Sequence, residues 1–367
     1  MSALQSVAAP AAAAPVPVAL PAGGALALDY RRILRRRLGV LALLGGVILV
    51  SLILDFTLGP SGLPLHELWA TLTEPATVAP ATRVIVWEIR LPYALMAVAV
   101  GLALGLAGAE MQTILDNPLA SPFTLGVSSA AAFGAALAIV LDVGIPGLPG
   151  EWMVPGNAFV LALASALALD LAARWSGMST SGVVLFGIAM VFSFNALVAL
   201  LQFVATAESL QGLVFWTMGS LSRATWGKVG ALLLLFALVL PFSLRNAWQL
   251  TALRLGEARA ASFGVNLRRL RLGSLLRVSL LSALAVAFVG VVGFVGLVAP
   301  HIARRLVGED HRFYLPAAAL TGGALLSLAS IASKSLIPGV IVPVGIVTSL
   351  VGIPFFVAIV FRTRGRA

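Results

Sequence analysis

Arg31-Arg-Ile-Leu-Arg-Arg-Arg37 runs without a break into Leu38-Gly-Val-Leu-Ala-Leu-Leu-Gly-Gly-Val-Ile-Leu-Val-Ser-Leu-Ile-Leu-Asp-Phe-Thr-Leu58. The second part is a long apolar run. At 1.5 Å of rise per residue, about 20 such residues span the ~30 Å hydrocarbon core of a bilayer. The first part is a block of five arginines. Arginine collects on the cytoplasmic side of membrane spans. The pair therefore reads as a membrane helix that starts in the cytoplasm, and it sets the register for the rest of the chain.

Composition supports that reading throughout. The 367 residues are 60% hydrophobic and 10% charged, whereas a soluble domain carries about 25% charge. So few charges cannot cover a water-facing surface, so lipid is the solvent for much of the chain. The expected class is all-α, with candidate spans at Leu38–Leu58, Leu91–Leu115, Leu119–Leu141, Val154–Ala173, Val183–Ala205, Val229–Leu244, Leu275–Val292, Gly293–Ala303, Leu315–Ser333 and Gly339–Phe361. Residues 1–30 are Ala/Pro-rich. They lack the early basic residues and unbroken apolar run of a secretory signal, and read as a disordered cytoplasmic tail. Residues 31–367 form the membrane domain.

Four basic clusters hold 18 of the 24 Lys and Arg: Arg31–Arg37, the break from Arg245 to Arg277, Arg304–Arg312, and Arg362–Arg366. The positive-inside rule places all four in the cytoplasm. The net charge of +10 then needs no nucleic-acid partner. Between Arg277 and Arg304 the chain must leave and return within 26 residues, too few for two crossings of about 20 each. Gly290, Gly293, Gly296 and Pro300 interrupt it. Two short or broken helices are expected there, giving ten spans with both termini cytoplasmic. A single re-entrant hairpin would give eight.

Chemistry-bearing patterns are scarce. There is no cysteine, which removes disulfides and thiolate metal sites. His66, His301 and His311 are scattered, so no metal site is expected. No phosphate loop, no His-Glu-x-x-His and no Gly-x-Ser-x-Gly occurs. Glu110 and Asp170 lie near span ends, within reach of snorkelling or local pairing. Gln112, Asn117, Asn195 and Gln202 suit hydrogen bonds between helices, and Gly101, Gly105, Gly108 and Ala109 suit close helix packing.

The break at about 245–274 is the most informative. Leu255-Gly-Glu-Ala-Arg-Ala-Ala-Ser-Phe-Gly264 reads as a short helix over Glu257–Phe263, with Gly256 before it and Gly264 as a left-handed stop. A loop of this length and order suits a cytoplasmic docking element for another protein, or an amphipathic helix on the lipid surface.

Several stretches together resemble one family. They are Ile89-Arg-Leu-Pro92, Met111-Gln112, Asn117-Pro-Leu-Ala120 with Leu125-Gly126, Leu255–Arg271, Gly293-Phe-Val-Gly-Leu-Val-Ala-Pro-His301, Asp310-His-Arg312 and Pro343-Val-Gly-Ile-Val-Thr348. The chain from about Arg31 onward is similar to the FecCD-type permeases, the membrane subunits of type II ABC importers for ferric siderophores, haem and vitamin B12. The resemblance implies a homodimer in the bacterial inner membrane, two ATP-binding cassette subunits beneath it and a periplasmic substrate-binding protein above. ATP and Mg would bind to the partner ATPase, so this chain is expected to hold no cofactor and to catalyse nothing itself.

The resemblance also implies site residues. Leu255, Gly256, Glu257, Ala258, Ala261, Phe263, Gly264, Val265 and Asn266 match the ATPase-coupling helices. Arg90 matches a cation that meets the binding protein. The next such position is Tyr93 here, and Lys334 stands where a relative has Arg. Thr180 and Ser181 match the cytoplasmic gate. A ferric siderophore is the expected cargo, with haem or B12 as alternatives. An ATP-independent secondary transporter is less favoured, because intramembrane coupling charges are scarce. An intramembrane enzyme is disfavoured by the missing constellations.

Overall fold

The computed structural model describes residues 23–59, 62–175 and 180–364. Within them, the side chains of 23–28, 173–175, 180–181, 359–360 and 362–364 lie outside the described residues. The helices are α1 (Gly23–Thr57), α2 (Leu65–Thr73), α3 (Pro80–Val84), α4 (Leu91–Ile114), α5 (Val127–Leu141), α6 (Gly150–Trp175), α7 (Thr180–Val204), α8 (Ala207–Thr217), α9 (Trp226–Arg245), α10 (Ala247–Leu253), α11 (Glu257–Ser262), α12 (Leu267–Val289), α13 (Val295–Val307), α14 (His311–Ser335) and α15 (Val344–Arg364). A π-helical turn, Ile85–Arg90, joins α3 to α4. Among the described residues there is no β-strand. The fold is an all-α polytopic membrane protein. Seven helices are long and apolar enough to cross a bilayer, and the apolar α5 and α15 are shorter. With the 13-residue α13, each of the ten sequence-assigned spans corresponds to a helix.

Several boundaries differ from the expectation for local reasons. α1 begins at Gly23, so residues 23–30 continue the first span instead of ending a tail. The last proline of that region is Pro21, and nothing after it breaks a helix. Residues 1–22 lie outside the described residues. The third span starts at Val127 rather than Leu119. Pro118 and Pro122 disfavour helix there, and Asn117 Oδ1 accepts from Leu119 N at 2.9 Å in a side-chain-closed turn. The last span starts at Val344, after Pro343 and the left-handed Gly339. Of the two helices expected to be short, only α13 is. α12 takes in Leu267–Ser274, previously assigned to the loop, and is a 23-residue span. The loop of 245–274 therefore shrinks to α10, α11 and their turns.

α4 lies at the centre, against α14, α13, α12 and α9, with α1 outside α14 and α5 against α6 and α7. Its glycines set the closest approach. A Cβ at Gly101 would overlap the Gly322 carbonyl, one at Gly105 the Ala318 carbonyl, and one at Gly108 the Gly296 carbonyl. Backbone meets backbone there, as small-residue stripes permit inside membranes. Glu110 and Arg277 were read as boundary and loop charges. Both are buried between α4 and α12. Arg277 Nη2 donates to Glu110 Oε2 at 2.7 Å and to Ser274 Oγ at 2.9 Å, and its Nε donates to Glu110 Oε1 at 3.1 Å. A buried carboxylate and guanidinium are tolerated there because each satisfies the other with good geometry.

Candidate functional site

The basic end of the bundle carries α10 and α11. Gly256 has φ +101° and Gly264 φ +82°. Val265 N donates to Ala260 O at 3.1 Å and Gly264 N to Ala261 O at 2.9 Å, the paired bonds of a Schellman stop. Asn266 then caps α12, its Oδ1 accepting from Arg269 N at 3.0 Å. Glu257 pairs with Arg271 at 2.5 Å, which ties α11 to α12. Ala260 and Val265 point into the protein. Gly256, Glu257, Ala258, Ala261, Gly264 and Asn266 are exposed. So are Leu255 (53%), Phe263 (54%) and Trp248 (58%). The sequence-assigned coupling residues therefore form one exposed knob with apolar corners, except Val265, which anchors it.

This knob is wired to the bundle by polar contacts that sequence reasoning did not find. Thr251 of α10 lies 3.1 Å from His311 Nδ1, and Thr113 of α4 lies 2.8 Å from His311 Nε2. One imidazole at the start of α14 thus bridges α10 to α4. Arg254 donates to Asp116 at 2.5 Å and to both oxygens of Glu309 at 3.1 and 3.3 Å. Arg304 stands 3.7 Å from Glu309 and donates to the Tyr314 hydroxyl at 3.2 Å. Arg37 of α1 and Arg312 hold Asp310 at 3.1 and 2.8 Å. Burial would raise the Glu309 carboxyl, but the Arg254 hydrogen bond and the surrounding cations bring it below its ordinary value. The Arg312 hydrogen bond holds Asp310 below its ordinary value against the opposing effect of burial. The pairs that join His311 to Thr113 and Thr251, Arg254 to Asp116 and Glu309, and Arg37 to Asp310 are invisible in a single sequence because their partners are far apart in it.

At the opposite end, the three residues assigned to partner docking cluster inside the protein. Asp55 of α1 is fully buried, and the Lys334 side chain is only 4% exposed. Lys334 Nζ lies 3.1 Å from Asp55 Oδ1, donates to the Asp55 carbonyl at 2.7 Å, and stands 4.4 Å from the centre of the Tyr93 ring. Ser330 donates to both Asp55 oxygens at 2.8 and 2.9 Å. Arg90 is buried and donates to the carbonyls of Phe56 and Thr57 at 3.2 and 3.0 Å. Gly59 leaves the room its guanidinium needs, since a Cβ there would come within 2.8 Å of it. Arg90, Tyr93 and Lys334 thus face inward in this structure. Lys334 is drawn in by Asp55, a carboxylate inside the first span that needs a buried cation, and Arg90 by the end-of-helix carbonyls of Phe56 and Thr57.

The gate residues Thr180 and Ser181 begin α7. Their side chains and residues 176–179 lie outside the described residues, so the gate assignment receives no geometry. Between α5, α7, α13, α15 and the turn from Asn117 to Leu125 there is a cavity of about 730 Å³. Phe123, Ile188, Val198 and Phe294 give it apolar walls, and Asn117, Ser128, Asn195 and Thr217 contribute polar atoms. Every side chain lining it is uncharged. It offers shape and weak hydrogen bonding to a bulky guest, without a fixed charge to trap it.

A bundle of membrane-length helices, a knob tied to its basic end by polar contacts and a neutral cavity stand together in this chain. The model of the FecCD transport family matches residues 47–362. The chain belongs to the FecCD transport family. It is 37% identical over 329 residues to the hemin transport system permease HmuU of Yersinia pestis, covering 88% of this chain and 96% of that one. It is 32% identical over 339 residues to the vitamin B12 import permease BtuC of Klebsiella pneumoniae, covering 92% and 97%. Among solved structures, an inward-facing ABC transporter described as of the metal-chelate type superposes with TM-score 0.77 at 30% identity, over 88% of this chain and 99% of that one. This FecCD protein is therefore a membrane permease of the ABC transporter class.

Proposed function

We propose that this chain is the transmembrane subunit of an ATP-driven importer that moves an iron chelate, a ferric siderophore in the first reading, from the periplasm to the cytoplasm across the bacterial inner membrane. The observation that carries the proposal is the wired knob. Leu255 and Phe263 point outward on either side of α11, while Thr251 connects the same segment to α14 and Arg254 connects it to the turns that follow α4 and α13. A push on α11 is thereby delivered to the helices that pack around the cavity. Two ATP-binding cassette subunits bind ATP and Mg and supply that push, and this chain does no catalysis itself. A second copy covers the apolar faces of α7 and α15, where Phe192, Phe203, Leu350 and Val351 are exposed.

A periplasmic binding protein delivers the cargo. Arg90, Tyr93 and Lys334 brace the landing face from within rather than touching the partner in this conformation. Thr180 and Ser181 close the inner end. Hemin is the second reading, favoured by the match to HmuU over 96% of that protein. The neutral cavity accommodates either cargo. The test is uptake by vesicles carrying the permease with its ATPase and binding protein. ATP-dependent, ionophore-insensitive accumulation of a ferric chelate is expected. Uptake without ATP that collapses with the ion gradient would instead establish a secondary transporter.

A further inference from the structure

Phe294 opens α13 with φ +66°. A bulky side chain in the left-handed region is a genuine outlier, and glycine would take this conformation without strain. Such strain persists where the surrounding structure imposes it, and it gathers at functional positions. The surroundings here are specific. The Phe294 side chain lies directly on Gly352 of α15, where a Cβ would overlap its Cβ and Cγ. Phe294 lines the cavity of about 730 Å³ and also a second, apolar cavity of about 280 Å³ between α13, α14 and α15. Among the described residues it alone lines both. Leu297 faces the larger cavity and Val298 the smaller, so the boundary runs through this one turn of α13.

We propose that Phe294 is the partition between the two cavities, and that its ring sets the size of cargo the larger one accepts. The cargo part rests on the importer reading above. The backbone places the ring at the boundary, and Gly352 leaves the space that seats it. Because the seat belongs to α15, any displacement of α15 against α13 shifts the ring and changes the depth of the larger cavity. The ring thereby links a helix movement to the volume available to a guest.

The chain has no cysteine, so single-cysteine reporters are clean. Leu297→Cys and Val298→Cys are compared in membrane vesicles with the charged, membrane-impermeant reagent sulfonatoethyl methanethiosulfonate. Leu297→Cys is expected to react at a similar rate with or without the ring. Val298→Cys is expected to react about tenfold faster when combined with Phe294→Ala or Phe294→Gly, as local protection is lost. Phe294→Tyr is expected to preserve the protection. Phe294→Gly suits the backbone conformation, so it also answers whether Phe294→Ala fails by misfolding. Equal Val298→Cys rates with and without the ring overturn the partition.

A second arm measures uptake of hemin and of the bulkier cyanocobalamin by the assembled transporter. Phe294→Gly is expected to raise the cyanocobalamin-to-hemin ratio about tenfold, within the range by which pocket size discriminates. An unchanged ratio overturns the size-setting role. If the unaltered transporter takes up neither probe with ATP, the hemin and vitamin B12 readings fail and a ferric siderophore replaces hemin as the smaller probe, while the labelling result still decides the partition.

Discussion

Lys334 and Asp55 meet across 279 residues of chain, and their pairing explains why Lys334 faces inward. Removing one partner of a buried ion pair leaves an uncompensated charge, at a cost of about 3–5 kcal/mol, while replacing both with apolar groups is often neutral. Lys334→Met is therefore expected to destabilise the protein by about that amount, and Asp55→Leu with Lys334→Met to recover most of it, as measured by chemical unfolding in detergent micelles. At the basic end, Asp310 is held low by the Arg312 hydrogen bond. A depressed folded value stabilises above the ordinary carboxylate pKa of about 3.9 and loses that contribution as pH falls through the folded value. Melting temperature is expected to drop below about pH 4 more steeply in the unaltered protein than in Asp310→Asn. Little of this was legible in the sequence. Asp55 passes as one polar residue in an apolar run, and neither Lys334, Arg277 nor His311 has its decisive partner on its own helix. Gly256 and Gly264 were legible because a helix stop is a local matter of φ.

Elements show the same division. The existence of ten helices followed from apolar runs and breaks, and the Gly101–Gly105–Gly108 stripe correctly announced close packing. Its partners, Gly322, Ala318 and Gly296, required the fold. Gly105→Val forces its side chain into the Ala318 carbonyl, so a loss of about 1–3 kcal/mol or more is expected from overpacking. Gly230→Ala on α9 meets open space and is expected to be neutral or to stabilise slightly, by about 0.5–1 kcal/mol at most. Thermal melting of the two variants side by side checks the contrast. The α12–α13 segment shows where counting residues misleads. The 26-residue interval between Arg277 and Arg304 looked too short for two crossings because arginine was taken to mark a loop. Arg277 instead lies inside α12, neutralised by Glu110, and the helix runs on past it.

For the whole molecule, the polar network at the basic end and the neutral cavity belong to one device. The cavity holds no charge to bind cargo tightly, so the energy for directional movement must enter elsewhere. The exposed knob at Leu255–Gly264 is the structural candidate for that entry, and His311 and Arg254 tie it to the bundle. The most direct measurement is co-purification of the cognate ATP-binding cassette subunit with a permease lacking Gly256–Gly264, alongside the unaltered chain and a check of membrane insertion. The account predicts a variant that inserts normally, retains the α4–α14 core and no longer retains the ATPase. An ATPase that still co-purifies in full with the inserted variant would contradict it.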